Sequence, residues 1–198
     1  LLPDDGAYPH GMNLWIYEFG FLLRWIEILR TATGEDLSPH LARASSFRAT
    51  TLSPDGKRGI TFGDPQSRTG GDAWIHFLIA RRTRSGLSQW AGNSLVDLPH
   101  EGVDYRNVPP RRRAYEFLYF DPDVVPHPPT PGISNFRDTG QVFHRSTNRV
   151  FTFRAGPPLG THRYRMGEYG GYGHSDPSSG SFLLYTEGGF LANGPGPV

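Results

Sequence analysis

The residues best suited to chemistry occur first in a polar segment that leads into a long apolar pattern, residues 5–17. His10, Asn13 and Tyr17 are three and four residues apart in this segment, so they share one face if it is helical. An imidazole, an amide and a phenol on one face could bind a polar substrate or transfer a proton. Alternatively, His10 and Asn13 satisfy the free N–H groups of the helix start, and Tyr17 packs in the core.

A glycine-rich segment, residues 170–182, carries a second candidate set. In extended backbone His174 and Asp176 point the same way, as two metal ligands or a histidine and its orienting carboxylate would. In the alternative interpretation Asp176 caps a turn and His174 is merely exposed. Two ligands do not complete a tetrahedral zinc site, so His174 is a candidate metal ligand that needs further partners.

A third candidate, Arg145, belongs to a segment of alternating residue types, 141–145. Its guanidinium could hold a carboxylate through two parallel hydrogen bonds. Equally, the side chain could lie on the solvated face of a strand, and the spacing does not choose between these two interpretations.

Helical patterns in the first part of the chain would position the first of these sets. Apolar residues recur at helical spacing over Met12–Thr33, and Gly34 is a typical residue after a helix end. Residues 38–49 predict a second helix, with Ser38 as its N-cap and Pro39 at its first position. An apolar segment that begins near Asp72 predicts a third, buried helix, and residues 113–120 predict one more short helix.

The pattern changes abruptly after residue 120. A proline-rich stretch over 121–133 predicts an extended linker, because proline cannot occupy a helix interior. Beyond it the period switches to two, which is typical of strands, at 141–145, 149–153 and 181–185. The chain therefore divides into a helical part at 1–120, the linker, and an antiparallel β part at 134–198.

Composition excludes several classes of function. The 198 residues contain no cysteine, which excludes disulfides, cysteine-based zinc sites and thiol catalysis. With 20 Lys and Arg against 19 Asp and Glu, the charge does not indicate a nucleic-acid partner, and no apolar run is long enough for a membrane span. The start at Leu1, directly ahead of a motif and without a methionine, predicts that the chain is a fragment of a larger protein.

Taken in order, these segments resemble the heparinase II/III-like polysaccharide lyases and their alginate-lyase relatives. No single motif is specific, but their order and spacing across a switch from helical to strand pattern are fairly specific. The resemblance covers most of the chain, through DGAYP at 5–9, TGEDL at 33–37, TG at 139–140, RS at 145–146, GHSD at 173–176, SF at 181–182 and LA at 191–192.

The resemblance implies an α+β multidomain fold, in which an incomplete (α/α) toroid joins an antiparallel β-sandwich and substrate binds in the cleft between them. This chain would hold the last toroid helices at 1–120, the linker at 121–133 and the first sandwich strands at 134–198. It further implies a periplasmic or secreted protein that requires no cofactor, with a structural zinc ion possible in the whole protein. Its oligomeric state stays open.

The activity that the resemblance implies is β-elimination beside a uronic acid of an acidic polysaccharide. A base removes the proton next to the carboxylate, a cation or amide neutralises that carboxylate, and an acid protonates the departing glycosidic oxygen. In this scheme Tyr17 and Tyr172 transfer protons, and His174 acts as base, orienting group or metal ligand. The residues that would contact the substrate are His10, Asn13 and Arg145.

The sequence departs from the family pattern at functional positions. The helix tyrosine of the family falls on Leu14, which cannot move a proton, and the first histidine of its sandwich motif falls on Tyr172. An aspartate that follows Leu-Ala in many relatives aligns with Asn193 or Gly194. These departures leave two alternatives: a non-catalytic glycan-binding protein on the same scaffold, and a glycoside hydrolase, which needs two carboxylates about 5 to 9.5 Å apart.

Overall fold

The computed structural model describes residues 3–62, 72–96, 110–167 and 179–193, with the backbone alone at Asn13, 110–112 and Asn193. The helices are α1 (Met12–Thr33), a 3₁₀ helix (Ser38–Leu41), α2 (Ala42–Thr50), α3 (Ala73–Thr83), α4 (Gly86–Leu95), α5 (Pro110–Tyr119) and α6 (Gly160–Arg165). The strands are β1 (Gly132–Phe136), β2 (Gln141–Arg145), β3 (Arg149–Arg154), β4 (Phe182–Thr186) and β5 (Gly189–Asn193). The strands form one antiparallel sheet in sequence order, so the predicted α+β class is confirmed.

Helix α1 confirms the first predicted helix over its 22 residues. Trp15, Phe19 and Leu23 are buried together because residues three or four apart lie on one side of a helix. Gly34 ends the helix in the left-handed conformation at φ 81°, and its N–H donates to the carbonyl of Arg30 at 2.8 Å.

The second predicted helix is correct in place and wrong in its first turn. The chain forms a 3₁₀ helix over Ser38–Leu41 before α2 begins at Ala42. Asp36 Oδ1 accepts hydrogen bonds from both the N–H and the hydroxyl of Ser38, at 2.9 and 2.6 Å. The serine hydroxyl is therefore used as a donor and does not cap the α-helix.

Helix α3 is buried from Ala73 to Ala80, as its uniformly apolar sequence predicts. Helix α4 packs against α3, and Gly92 allows close approach to the Phe77 ring. Its start is capped by Ser85, whose side chain accepts a hydrogen bond from the Ser88 N–H at 3.2 Å.

One face of the sheet packs on the helices and completes a shared core. Phe143, Val150 and Tyr185 alternate with more exposed residues along their strands and belong to the same buried cluster as Trp15. The Phe136 ring meets Phe47 of α2 edge-on at 4.8 Å. The helical and sheet parts are thus joined by one continuous core, and β1 begins at Gly132, inside the predicted linker.

A fully buried polar cluster lies between α2, α3 and α4. Arg48 Nε donates to Asp72 Oδ2 at 2.9 Å, and His76 Nε2 lies 3.4 Å from the same oxygen. Ser45 Oγ lies 2.7 Å from both His76 Nδ1 and Ser88 Oγ. The cluster resembles a catalytic triad in geometry, but its side chains are sealed from solvent, so its observed role is to hold the helices together.

We expect acidification below about pH 6.5 to destabilise the protein through His76. Burial lowers the pKa of His76 and outweighs the opposing effect of Asp72. The unfolded chain then binds a proton that the folded chain does not, so the free energy of unfolding falls as the pH drops through the ordinary histidine range. Burial would raise the pKa of Asp72, but Arg48 and His76 lower it, so its contribution is lost below about pH 4.

Urea unfolding at a series of pH values measures this effect. His76→Gln should flatten the dependence between about pH 5 and 7, whereas His144→Gln, on an exposed strand position, should leave it unchanged. An unaltered pH dependence in His76→Gln would show that another group is responsible.

Candidate functional site

The loop before α1 connects the first sequence motif to the second half of the chain. Asp5 Oδ1 accepts the Ala7 N–H and Asp5 Oδ2 accepts the Asp138 N–H, each at 3.0 Å. His10 Nε2 then lies 3.3 Å from Arg163 Nη1 in α6, 153 residues later in the chain. His10 is 8% exposed and Arg163 is half-buried, so this contact lies at the edge of the folded interior.

Asp138 positions the short helix α6. Its Oδ1 accepts the His162 N–H at 2.6 Å and its carbonyl accepts the Thr161 N–H at 2.7 Å. Burial raises the pKa of the Asp138 carboxyl despite the His162 N–H, and the neighbouring Asp5 adds to the rise. Asp138 therefore links the entry loop to the helix that carries Arg163 through hydrogen bonds.

A cleft of about 800 Å³ lies between α1, the 3₁₀ helix, the entry loop and α6. This volume lies within the range of about 300 to 1,000 Å³ that is usual for small-molecule sites. Residues from both parts of the chain line the cleft. The polar and aromatic side chains of this lining include Tyr8, Glu18, Trp25, Arg43, His162 and Arg163. The cleft therefore offers an aromatic surface, the carboxyl groups of Asp4, Glu18 and Asp138, and the guanidinium groups of Arg43 and Arg163 in one concavity.

Tyr8 is the most buried polar side chain among the described residues that line this cleft. It is 5% exposed, and its ring lies 5.5 Å from the His10 ring and 6.2 Å from the Phe19 ring. Burial raises the pKa of Tyr8, the nearby Glu18 carboxylate raises it further, and Arg163 opposes the rise. The phenol therefore stays protonated at neutral pH and can only donate or accept a hydrogen bond, not act as a base.

Tyr17, predicted to transfer protons, lies on the exposed side of α1. Its side chain is 63% exposed, and its ring meets Phe21 edge-on at 4.9 Å. The alternative prediction that Tyr17 packs in the core is therefore wrong. Tyr17 is not among the described residues that line the cleft described above, and its proton-transfer role stays a prediction.

Arg145, predicted to contact substrate, is buried beneath the sheet. Its Nη2 donates to the carbonyl of Thr50 at 2.9 Å and also to that of Leu52, both at the end of α2. Burial lowers its pKa to about 10. The prediction of a solvated strand face is wrong, and the guanidinium here ties β2 to α2; binding a carboxylate would require it to leave those carbonyls.

Several predicted site residues lie outside the part of the chain that is described. Tyr172 and His174 fall between the described ranges, with Asp176, and the side chain of Asn13 is likewise not described. Within the described ranges, no group of three or more histidine and acidic residues could hold a metal ion. The zinc prediction for His174 therefore stays a prediction.

Sequence reasoning missed most of the residues that line the cleft. Leu22 and Trp25 follow Glu18 along one side of α1 at four- and three-residue spacing, a signal that could have identified this helix face. Arg163 had no comparable local signal, because α6 is short and its position depends on the distant Asp138.

Comparison with known proteins does not identify a family. No family model matches the chain, and no curated protein matches it significantly.

In the described part of the chain, no helix has the length and apolar character that a bilayer crossing requires.

Proposed function

We propose that this chain is part of a lyase that cleaves a uronic-acid-containing polysaccharide by β-elimination. The proposal includes the finer architecture that the sequence resemblance implies, a partial (α/α) toroid followed by the first sheet of a β-sandwich. Acidic polysaccharide or oligosaccharide is the partner, and the reaction itself requires no cofactor.

Two exposed apolar surfaces support this architecture. Phe21 and Ile28 of α1 are 55% and 68% exposed, as expected of a helix whose neighbour in a toroid is absent. On the outer face of the sheet, Ile133, Phe151 and Phe182 are 73%, 38% and 45% exposed, as expected where a second sheet would pack. Both surfaces are apolar in places where a free-standing domain would be polar.

The observation that carries the proposal is the contact between His10 and Arg163. It brings the entry motif of α1 against α6, and α6 directly precedes the segment that contains Tyr172 and His174 in sequence. The entry loop and α6, which are far apart in sequence, both line one cleft. A site at the meeting of helical and sheet parts is what the resemblance implies.

β-Elimination requires a base, a group that neutralises the substrate carboxylate, and an acid. A base takes the proton from the carbon next to the carboxylate, the electron pair forms a carbon–carbon double bond, and the bond to the glycosidic oxygen breaks. An acid returns a proton to that oxygen, so no net proton is consumed. We assign the proton transfers to Tyr17, Tyr172 and His174, and neutralisation of the substrate carboxylate to the Arg163 guanidinium, with His10 as a hydrogen-bonding contact to the substrate.

Tyr17→Phe and His174→Ala should each lower kcat by about 100-fold or more if these groups transfer protons. The measurement is the ultraviolet absorbance of the unsaturated uronate product, on the full-length protein that contains this chain, with a panel of uronate polysaccharides including alginate and heparan sulfate. Loss of activity in both variants with retained folding supports the assignment.

Tyr119→Phe, on α5, and His144→Ala, on the outer sheet face, are matched controls that should retain full activity. Unchanged rates in Tyr17→Phe and His174→Ala would remove those residues from the mechanism. Saturable glycan binding without any product would favour the non-catalytic alternative. Leu14 already supports that alternative, because it stands where the family has a tyrosine and cannot transfer a proton. New reducing ends without an absorbing double bond would identify a hydrolase instead.

A further inference from the structure

One wall of the cleft has the composition of a sugar-binding surface rather than of a charge-neutralising one. Trp25 of α1 lines the cleft and is 54% exposed, although tryptophan is usually well buried. An exposed indole inside a concavity offers a flat face whose negative π surface attracts the polarised C–H bonds of a ring. The apolar side chains Leu22 and Ile26 continue this surface along the same helix.

Two hydrogen-bonding side chains, Tyr8 and Glu18, lie on the same wall of the cleft. The hydroxyl of Tyr8 is buried without a hydrogen bond of acceptable geometry among the described residues, although the Glu18 carboxylate is close enough to influence it. A buried hydroxyl without a well-formed hydrogen bond destabilises the fold unless a ligand or a water molecule bonds to it. Glu18 can only accept, whereas Tyr8 can donate or accept, so one sugar hydroxyl could donate to Glu18 and accept from Tyr8.

The charges of this wall argue for a neutral ring. Glu18 lies two helical turns before Trp25 on the same side of α1, so its negative charge disfavours a carboxylated or sulfated sugar along this wall. Arg43 and Arg163 lie elsewhere on the cleft lining, where Arg43 donates to the carbonyl of Asp4 and Arg163 contacts His10. Asp4 and Asp138 also line the cleft, so an anionic sugar would depend on these two arginines for its binding, and we assign the recognition of hydroxyl groups to the Glu18 side.

We propose that Trp25, Tyr8 and Glu18 form a subsite for a neutral pyranose ring, which stacks on the indole and shares its hydroxyls between the phenol and the carboxylate. The choice of a saccharide ligand rests on the proposed function. The subsite itself does not need β-elimination, and it assigns the cleft to a glycan in which uncharged sugars accompany the uronate.

Isothermal titration calorimetry on the full-length protein, with a hyaluronan tetrasaccharide and with the all-neutral cellotetraose, tests the subsite. Trp25→Ala should weaken binding of both probes about tenfold, and Glu18→Gln and Tyr8→Phe should each weaken it by several-fold, roughly the cost of one hydrogen bond. Calorimetry avoids a fluorescence signal that Trp25→Ala would itself remove.

Phe117→Ala is the matched control. Phe117 of α5 is 85% exposed and is not among the described residues that line the cleft, so its loss should leave both dissociation constants unchanged. If Tyr8→Phe unfolds the protein, Glu18→Gln at an exposed position still tests the same wall.

The outcomes separate this subsite from the lyase reaction. Binding that depends on Trp25 and Glu18, with no unsaturated product from any polysaccharide, would support the subsite while the proposed function fails. Product formation with binding that is indifferent to Trp25→Ala and Glu18→Gln would overturn the subsite while the lyase assignment stands. Failure of both probes to bind the wild-type protein would also overturn it.

Discussion

Asp72→Asn is expected to lower the free energy of unfolding by about 3 to 5 kcal/mol. Asp72 and Arg48 are both fully buried, and Arg48 Nε lies 2.9 Å from Asp72 Oδ2. Asparagine keeps the shape of the side chain but removes its charge, so the Arg48 guanidinium remains in the core without a counter-charge. Urea unfolding at neutral pH, followed by circular dichroism, measures the loss.

Asp121→Asn is the matched control for this substitution. Arg84 Nη1 lies at the same distance of 2.9 Å from Asp121 Oδ2, but the Arg84 side chain is 59% exposed. Exposed ion pairs contribute about 0 to 1 kcal/mol, so this variant should unfold nearly as the wild type does. Equal losses in Asp72→Asn and Asp121→Asn would contradict the premise that burial decides the energy of these pairs.

A second variant identifies the cause of the loss at Asp72. Arg48→Met in the Asp72→Asn background should recover part of the stability, because it removes the uncompensated charge and fills the space with an apolar side chain. A double variant that is less stable than Asp72→Asn alone would show that Arg48 stabilises the core through packing and not through its charge.

Gly6→Ala is expected to cost on the order of 4 kcal/mol, as left-handed backbone strain and overpacking add. Gly6 has φ 75°, and a Cβ there would lie 2.3 Å from the Arg43 carbonyl carbon and 2.5 Å from the Ala44 nitrogen. Both are backbone atoms of α2, so relief requires the loop or the helix to move. The same shift would disturb the loop that carries His10, so glycan binding should fall with stability.

Gly34→Ala separates strain from crowding. Gly34 has a similar φ of 81°, but no described atom lies within 4 Å of the position a Cβ would take. This variant should cost only about 1 to 2 kcal/mol, the left-handed penalty by itself. If Gly6→Ala proved no worse than Gly34→Ala in thermal unfolding, the close approach of the entry loop to α2 would not be what stabilises that loop.

Local patterns predicted the regular elements well. Periodicity and Gly34 located α1, uniform apolarity identified the burial of α3, and alternation located β2 and β3. These features depend on neighbours within a few residues, so the sequence carries them directly. The 3₁₀ turn at Ser38 was missed because Asp36 offers a competing acceptor, which a capping rule for serine alone does not weigh.

The site was less predictable than the fold. His10 was recognised as a candidate from its position at the helix start, but its partner Arg163 was not, because their contact depends on the fold of the intervening chain. Arg145 was correctly placed on a strand, yet its burial against the carbonyls at the end of α2 could not be read from the strand pattern. Alternation identifies two faces and does not say which one meets the helices.

The amino-acid sequence by itself determined the two kinds of secondary structure, the switch between them, and the absence of any cysteine chemistry. Only the tertiary structure decided that Tyr8, Glu18 and Trp25 share a cleft with α6, and that Arg48, Asp72 and His76 are sealed in the core. The physical reason is range: backbone periodicity is set by adjacent residues, whereas burial and electrostatic partners are set by surfaces that meet only after the chain has folded.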